Sequence, residues 1–137
     1  MRAGAVLDAW AVLALLQREA SVHRVIQRYL RRAHSGSLRL LLCWINLGEV
    51  YYRLIQSLGE ERGGARLALI RTLPVELVPV REPLVLEAAR LKARHRVSCA
   101  DAFAVATARL EGLPLLTGDP EILALPRDVV RVRRLER

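Results

Sequence analysis

The sequence predicts an α/β fold with a mainly parallel sheet and helices on both faces. Three observations carry this expectation. Apolar runs of strand length alternate with stretches of helical length from end to end. No internal repeat or flexible linker breaks the alternation, and 137 residues leave room for one compact domain, 1–137. The composition is 53% hydrophobic, enough to build a real core.

Each element has a local reason. Ala3 to Leu7 is an apolar run that stops at Asp8 and reads as a buried strand. Ala9 to Gln17 reads as a helix, and Val22 to Arg32 as a second with a basic face. Leu38 to Cys43 is a second strand. Asn46 opens a helical stretch through Leu58, closed by Gly59, and Glu60 to Leu73 is a further helix, stopped by Pro74. Glu76 to Val80 is a strand whose Pro79 favours a sheet edge. Pro83 to His95 has helical spacing of Leu84, Ala88 and Leu91. Ser98 to Leu110 is apolar on nearly every side, which places it in the interior. Leu113 to Thr117 is a strand, Asp119-Pro120 begins a short helix, and Val129 to Arg133 is a last strand. In such folds ligands bind beyond the C-terminal ends of the strands, near the switch in strand order.

Composition excludes several classes. Two cysteines, Cys43 and Cys99, make neither a disulfide framework nor a Cys-rich zinc site, and they suit a reducing cytosol. No apolar run reaches the roughly 20 residues of a membrane span, and the start before Asp8 is too short for a signal-peptide core. A cytoplasmic protein is expected. Lysine and arginine number 22 against 14 acidic residues, a formal charge of +8, and Lys92 is the one lysine. Arginine grips phosphate in a bidentate fork, so nucleic acid is a candidate partner; replacement of Lys by Arg through codon bias explains the same composition. An aromatic content of 4% argues against modules that hold RNA on ring platforms.

The chemistry lies in the carboxylates. Asp8 ends the first strand, Asp119 follows the Leu113–Thr117 strand, and Asp101 and Glu49 open helices. Each also suits a structural role. Ser98-x-x-Asp101 and Asn46-x-x-Glu49 resemble capping boxes, Asp119 before Pro120 is a good N-cap, and Asp8 can cap the helix starting at Ala9. Asp101 fits that role least, since its helix is apolar all round and a carboxylate there needs compensation. An α/β layout can bring all four to one end of the sheet, where their repulsion would raise their pKa values unless a cation neutralised them. Mg²⁺ or Mn²⁺ suits an all-oxygen set. His23, His34 and His95 lie in basic stretches and read as surface residues.

In sequence, Val-Leu-Asp-Ala-Trp, Trp-Ile-Asn-Leu-Gly-Glu-Val-Tyr-Tyr, Ser-Cys-Ala-Asp-Ala-Phe and Leu-Leu-Thr-Gly-Asp-Pro-Glu resemble the four acidic motifs of PIN-domain ribonucleases. More narrowly they resemble the VapC toxins of bacterial and archaeal toxin–antitoxin pairs, in the right order and over nearly the whole chain. The resemblance implies a three-layer α/β/α sandwich and a metal-dependent endoribonuclease. It implies that Asp8, Glu49, Asp101 and Asp119 form the metal-binding and catalytic set, with Thr117 a polar residue near metal and scissile phosphate, and Asn46 a weaker candidate. It further implies a cognate antitoxin and a homodimer. Two positions depart from the pattern: Trp10 stands where many relatives carry a small polar residue, and Cys99 where a larger apolar residue is common, here read as a buried structural thiol.

The mechanism that follows has the carboxylates hold one or two Mg²⁺ ions, Mn²⁺ substituting, while Asp101 or Glu49 orients or deprotonates the water that attacks an RNA phosphodiester. Arginines must offset the repulsion between acidic pocket and RNA; the candidates are Arg24, Arg28, Arg31, Arg32 and Arg39, with Arg131, Arg133, Arg134 and Arg137 in the tail. Trp44, Tyr51, Tyr52, Leu54 and Ile55 supply either an apolar groove for an antitoxin helix or ordinary core. Two alternatives stand beside the toxin: a housekeeping PIN-domain nuclease of RNA processing, and a catalytically weakened PIN-fold module that binds RNA or protein.

Overall fold

The computed structural model describes residues 3–136. In chain order the elements are β1 (Gly4–Leu7), α1 (Ala9–Leu16), α2 (Ala20–His34), β2 (Arg39–Cys43), α3 (Trp44–Leu58), α4 (Glu60–Ile70), β3 (Glu76–Val78), α5 (Glu82–Arg94), α6 (Cys99–Glu111), β4 (Leu115–Thr117), α7 (Pro120–Leu123) and β5 (Val132–Arg134). The strands form one sheet in the order β3-β2-β1-β4-β5, with every pairing parallel.

Side-chain alternation along the strands divides the core between the two faces. Ala5, Leu7, Leu40, Leu42 and Leu116 point to one side, where Val12, Leu15, Ile26, Leu47, Val50 and Ile70 cover them. Val6, Leu41, Cys43 and Leu115 point to the other, against Leu84, Leu91, Ala102, Val105 and Ile122. A strand buried on both faces has no need of polar alternation, which is why β1, and β2 after Arg39, read as unbroken apolar runs. The result is the three-layer α/β/α sandwich.

The order of the strands fixes where a ligand can sit. From β1 the chain crosses to β2 and β3 on one side, then returns through α5 and α6 to β4 on the other side of β1. The direction of winding reverses between β1 and β4. Loops leaving the C-terminal ends of these two strands run in opposite directions and leave a crevice between them.

Several boundaries shift from those the sequence predicts. Helix α3 starts at Trp44 rather than Asn46, because β2 passes directly into it with Cys43 in extended conformation as N-cap. The final strand is Val132–Arg134 rather than 129–133, since Val129 closes a turn onto the carbonyl of Pro126 and, with Val130, is buried in the second core. Pro79 does fall beside an edge strand, β3. Helix α6 is interior as expected, with Asp101, Ala102 and every residue from Ala104 to Ala108 buried. Among the described residues no helix is long and apolar enough to cross a membrane.

Candidate metal centre

The crevice at the strand switch is acidic. It is a cleft of about 270 Å³ lined by Ala9, Trp10, Leu13, Ala14, Gln17, Glu49, Arg53, Asp101 and Asp119. Asp8, at the end of β1 and next to the lining residue Ala9, is buried at 1% exposure. Its Oδ1 accepts from the amide of Ala11 at 2.8 Å, so Asp8 caps α1. Its Oδ2 accepts from the hydroxyl of Thr117, which ends β4. The same hydroxyl accepts from the amide of Asp119 at 2.9 Å. Asp119 in turn caps α7 through Glu121 N–H at 2.8 Å. Asp101, 6% exposed, lies in the first turn of α6, where Ser98 caps its amide at 3.1 Å. For Asp119, capping the helix and lining the cleft are therefore one placement and not two competing ones.

Close packing of carboxylates shows in their acidity. Burial pushes the Asp8 carboxyl up to about 7 against the hydrogen bonds of Thr117 and Ala11, and the charges of Asp119 and Glu49 add to the rise. Burial likewise drives Asp101 up to about 8, helped by the charge of Asp119, a hydrogen bond with Glu121, and the charges of Asp8 and Glu49. The charges of Asp119 and Glu49 thus act on both Asp8 and Asp101.

The structure adds a fifth acid. Asp101, Asp119 and Glu121 each present an oxygen such that the three lie within 4.8 Å of one another. Three carboxylate oxygens at that spacing suit a hard divalent cation, and among the described residues no nitrogen or sulfur donor joins the set. The acidities of Asp8 and Asp101 point the same way, because a nearby cation would restore the ionised forms that burial disfavours. Glu121 stands in the quoted Thr-Gly-Asp-Pro-Glu segment, two residues after Asp119. Its position in the first turn of α7 was the signal available for it. Glu49 stands at the cleft wall and is held by Arg53, whose Nε lies 3.2 Å from its Oε2. Arg53 was legible only as the residue one helical turn beyond Glu49.

Four sequence readings need correction. Asn46 is no cap: it lies inside α3, fully buried, donating from Nδ2 to the carbonyl of Ala100 at 2.9 Å and tying α3 to α6. Its Oδ1 is buried without a hydrogen-bond partner among the described residues. Cys99 is exposed at the start of α6, whereas Cys43 is buried. Of the residues offered as apolar groove or core, Trp44 and Tyr52 are exposed at 42% and 48%, and only Leu54 lines a groove, alongside Leu13, Leu16 and Leu58. His23 and His95 are half-buried, while His34 is exposed.

The arginines sort by position. Arg39 is engaged by Glu76 and Glu111 at the opposite end of the sheet, and Arg131 donates to the carbonyl of Gly112 before β4. Arg133 rests on Tyr29. Arg134 pairs with Glu136 beyond β5. Arg24, Arg28, Arg31 and Arg32 lie exposed along α2. Arg137 lies outside the described residues.

No curated protein matches the sequence. Among solved structures, the fold is similar to VapBC2 from Rickettsia felis, with a TM-score of 0.75 and 13% identity over 96% of this chain and 98% of that one. It is similar to VapBC from Salmonella typhimurium, with 0.74 and 17% over 98% of both chains. It is also similar to VapC20 from Mycobacterium tuberculosis, a toxin that cleaves the sarcin–ricin loop, with 0.67 and 20% over 91% of this chain and 92% of that one. Residues 5–128, which run from β1 past the last of the cleft's carboxylates, match the PIN domain, and the chain belongs to the PIN domain family.

Proposed function

We propose that this protein is a metal-dependent endoribonuclease and the toxin of a toxin–antitoxin pair. The observation that carries it is the gathering of Asp8, Glu49, Asp101, Asp119 and Glu121 from separate elements into one crevice at the strand switch. Asp101, Asp119 and Glu121 would hold a divalent ion, with Asp8 and Glu49 completing its surroundings. A bound Mg²⁺ or Mn²⁺ would supply Lewis acidity toward the phosphate and lower the pKa of water.

The chain's own residues do the rest. Thr117 fixes the rotamer of Asp8 by holding Oδ2 while Ala11 holds Oδ1. Each oxygen keeps a lone pair for a further partner. Asn46 fixes α3 against α6 and so sets Glu49 relative to Asp101. Asp101 or Glu49 accepts the proton of the attacking water, and the acidic walls keep that water oriented toward the phosphate.

The antitoxin and the homodimer belong to the same proposal. A groove of about 380 Å³ lined by Leu13, Leu16, Leu54 and Leu58 shares Leu13, Gln17 and Arg53 with the acidic cleft. An amphipathic helix laid in that groove would reach the cleft and close it. Support also comes from the similar folds found in VapBC toxin–antitoxin structures.

The test is cleavage of single-stranded RNA with Mg²⁺ or Mn²⁺. Wild type should cut and EDTA should stop it. Asp8→Asn should lose more than the roughly 10–100-fold that losing an outer partner of a metal ligand costs. Equal activity in the variant, or activity indifferent to EDTA, would reject the proposal. The proposal also expects a small antitoxin encoded beside it, whose co-expression should yield a stable complex that no longer cuts.

A further inference from the structure

We propose that Arg53 is the phosphate-binding residue of the cleft, gripping the RNA backbone with the outer edge of a guanidinium whose inner edge is fixed by Glu49. The inference rests on the nuclease reading above and names a residue that reading did not require. Of the arginines in the described residues, Arg53 alone lines the acidic cleft. Its side chain is braced twice: Nε donates to Glu49 Oε2 at 3.2 Å, and Cζ lies 5.7 Å from the centre of the Tyr52 ring. Neither terminal amine has a partner among the described residues, and the side chain is 52% exposed. Four N–H donors therefore stand open in a rigid planar fork, the geometry that matches two phosphate oxygens.

Electrostatics require such a group. Five carboxylates around one crevice repel a polyanion, and one divalent ion offsets two of those charges. Arg53 offsets a third at the rim. Glu49 is mostly shielded, at 15% side-chain exposure, so the pair presents the cation outward and the anion inward. Arg53 also lines the neighbouring groove, so a strand leaving the cleft in that direction passes the open fork.

The competing role is purely structural, in which Arg53 only holds Glu49 in place. The two separate in one experiment with two arms. Binding of a labelled single-stranded RNA is followed by fluorescence anisotropy in EDTA over a range of salt, and cleavage is followed with Mn²⁺. Arg53→Gln should weaken binding in EDTA about tenfold. It should also lower the slope of log K against log salt by about 0.7, one single-strand phosphate contact. Arg53→Lys should restore the slope and part of the affinity, since it keeps the charge and loses the fork. In cleavage, Arg53→Gln should raise KM by a larger factor than any fall in kcat. Unchanged affinity and slope in Arg53→Gln, or a loss confined to kcat, would overturn the proposal. If wild type fails to cleave while Arg53→Gln still alters binding and slope, the nuclease reading falls and the RNA contact stands.

Discussion

Thr117, at the end of β4, donates its hydroxyl hydrogen to Oδ2 of Asp8, at the end of β1, 109 residues earlier in the chain. The two strands are neighbours only because the sheet reverses its winding between them. The hydroxyl also receives the amide of Asp119, so one threonine ties two of the acids to the switch point. Thr117→Val keeps the shape and removes both hydrogen bonds. It should cost about 1–3 kcal/mol in denaturant unfolding and raise the Asp8 pKa further in an NMR titration, because the bond to Thr117 is the larger of the two that hold it down. An unchanged Asp8 titration would show that the hydroxyl does not hold the carboxylate.

Acidity and stability are linked in the metal-free protein. Asp8 and Asp101 titrate near 7 and 8 when folded, and near about 4 when unfolded. Between these values the folded state binds more protons than the unfolded one, so stability falls as pH rises. Urea unfolding in EDTA should lose several kcal/mol between about pH 5 and about pH 8, with Asp101 contributing the larger share. Asp101→Asn should flatten the decline. Mn²⁺ should stabilise more at the higher pH, because it needs ionised ligands. A level profile in EDTA would contradict the burial of these carboxyls.

Glu121 should contribute to ion binding although it is exposed. Glu121→Gln is expected to weaken Mn²⁺ binding at least about tenfold, since the loss of a direct ligand should cost no less than that of an outer partner, as measured by calorimetry. Full affinity in the variant would remove it from the set.

Trp10 depends on Gly118. A Cβ at Gly118 would fall onto the Trp10 ring and within 2.7 Å of the carbonyl oxygen of Leu135. Gly118→Ala should cost about 1–3 kcal/mol through overpacking and displace the indole that lines the cleft. Trp10 emission, read in a Trp44→Phe background, should shift. Unchanged emission and stability would show that the ring has room to move without consequence.

Much of this was legible in the sequence. Ala5-Val6-Leu7 and Leu40-Leu41-Leu42 read as buried strands because both faces of a parallel sheet are covered. The order of Asp8, Glu49, Asp101 and Asp119 along alternating strands and helices was enough to expect them at one end of the sheet. What escaped was set by contacts between distant segments. Asn46 looked like a cap because local patterning cannot tell that Cys43 already ends a strand and begins the helix. Cys99 looked buried because α6 is apolar, yet its first residue projects beyond the core. Arg53 looked like one arginine among many until α3 placed it against Glu49 at the cleft.

The most direct measurement is a crystal soaked in Mn²⁺ and examined by anomalous diffraction. A peak should stand between Asp101, Asp119 and Glu121, about 2.2 Å from their oxygens, and vanish in Asp101→Asn. A soaked crystal with no peak in the cleft, or with one that survives Asp101→Asn, would contradict a shared cation as the reason these carboxylates meet.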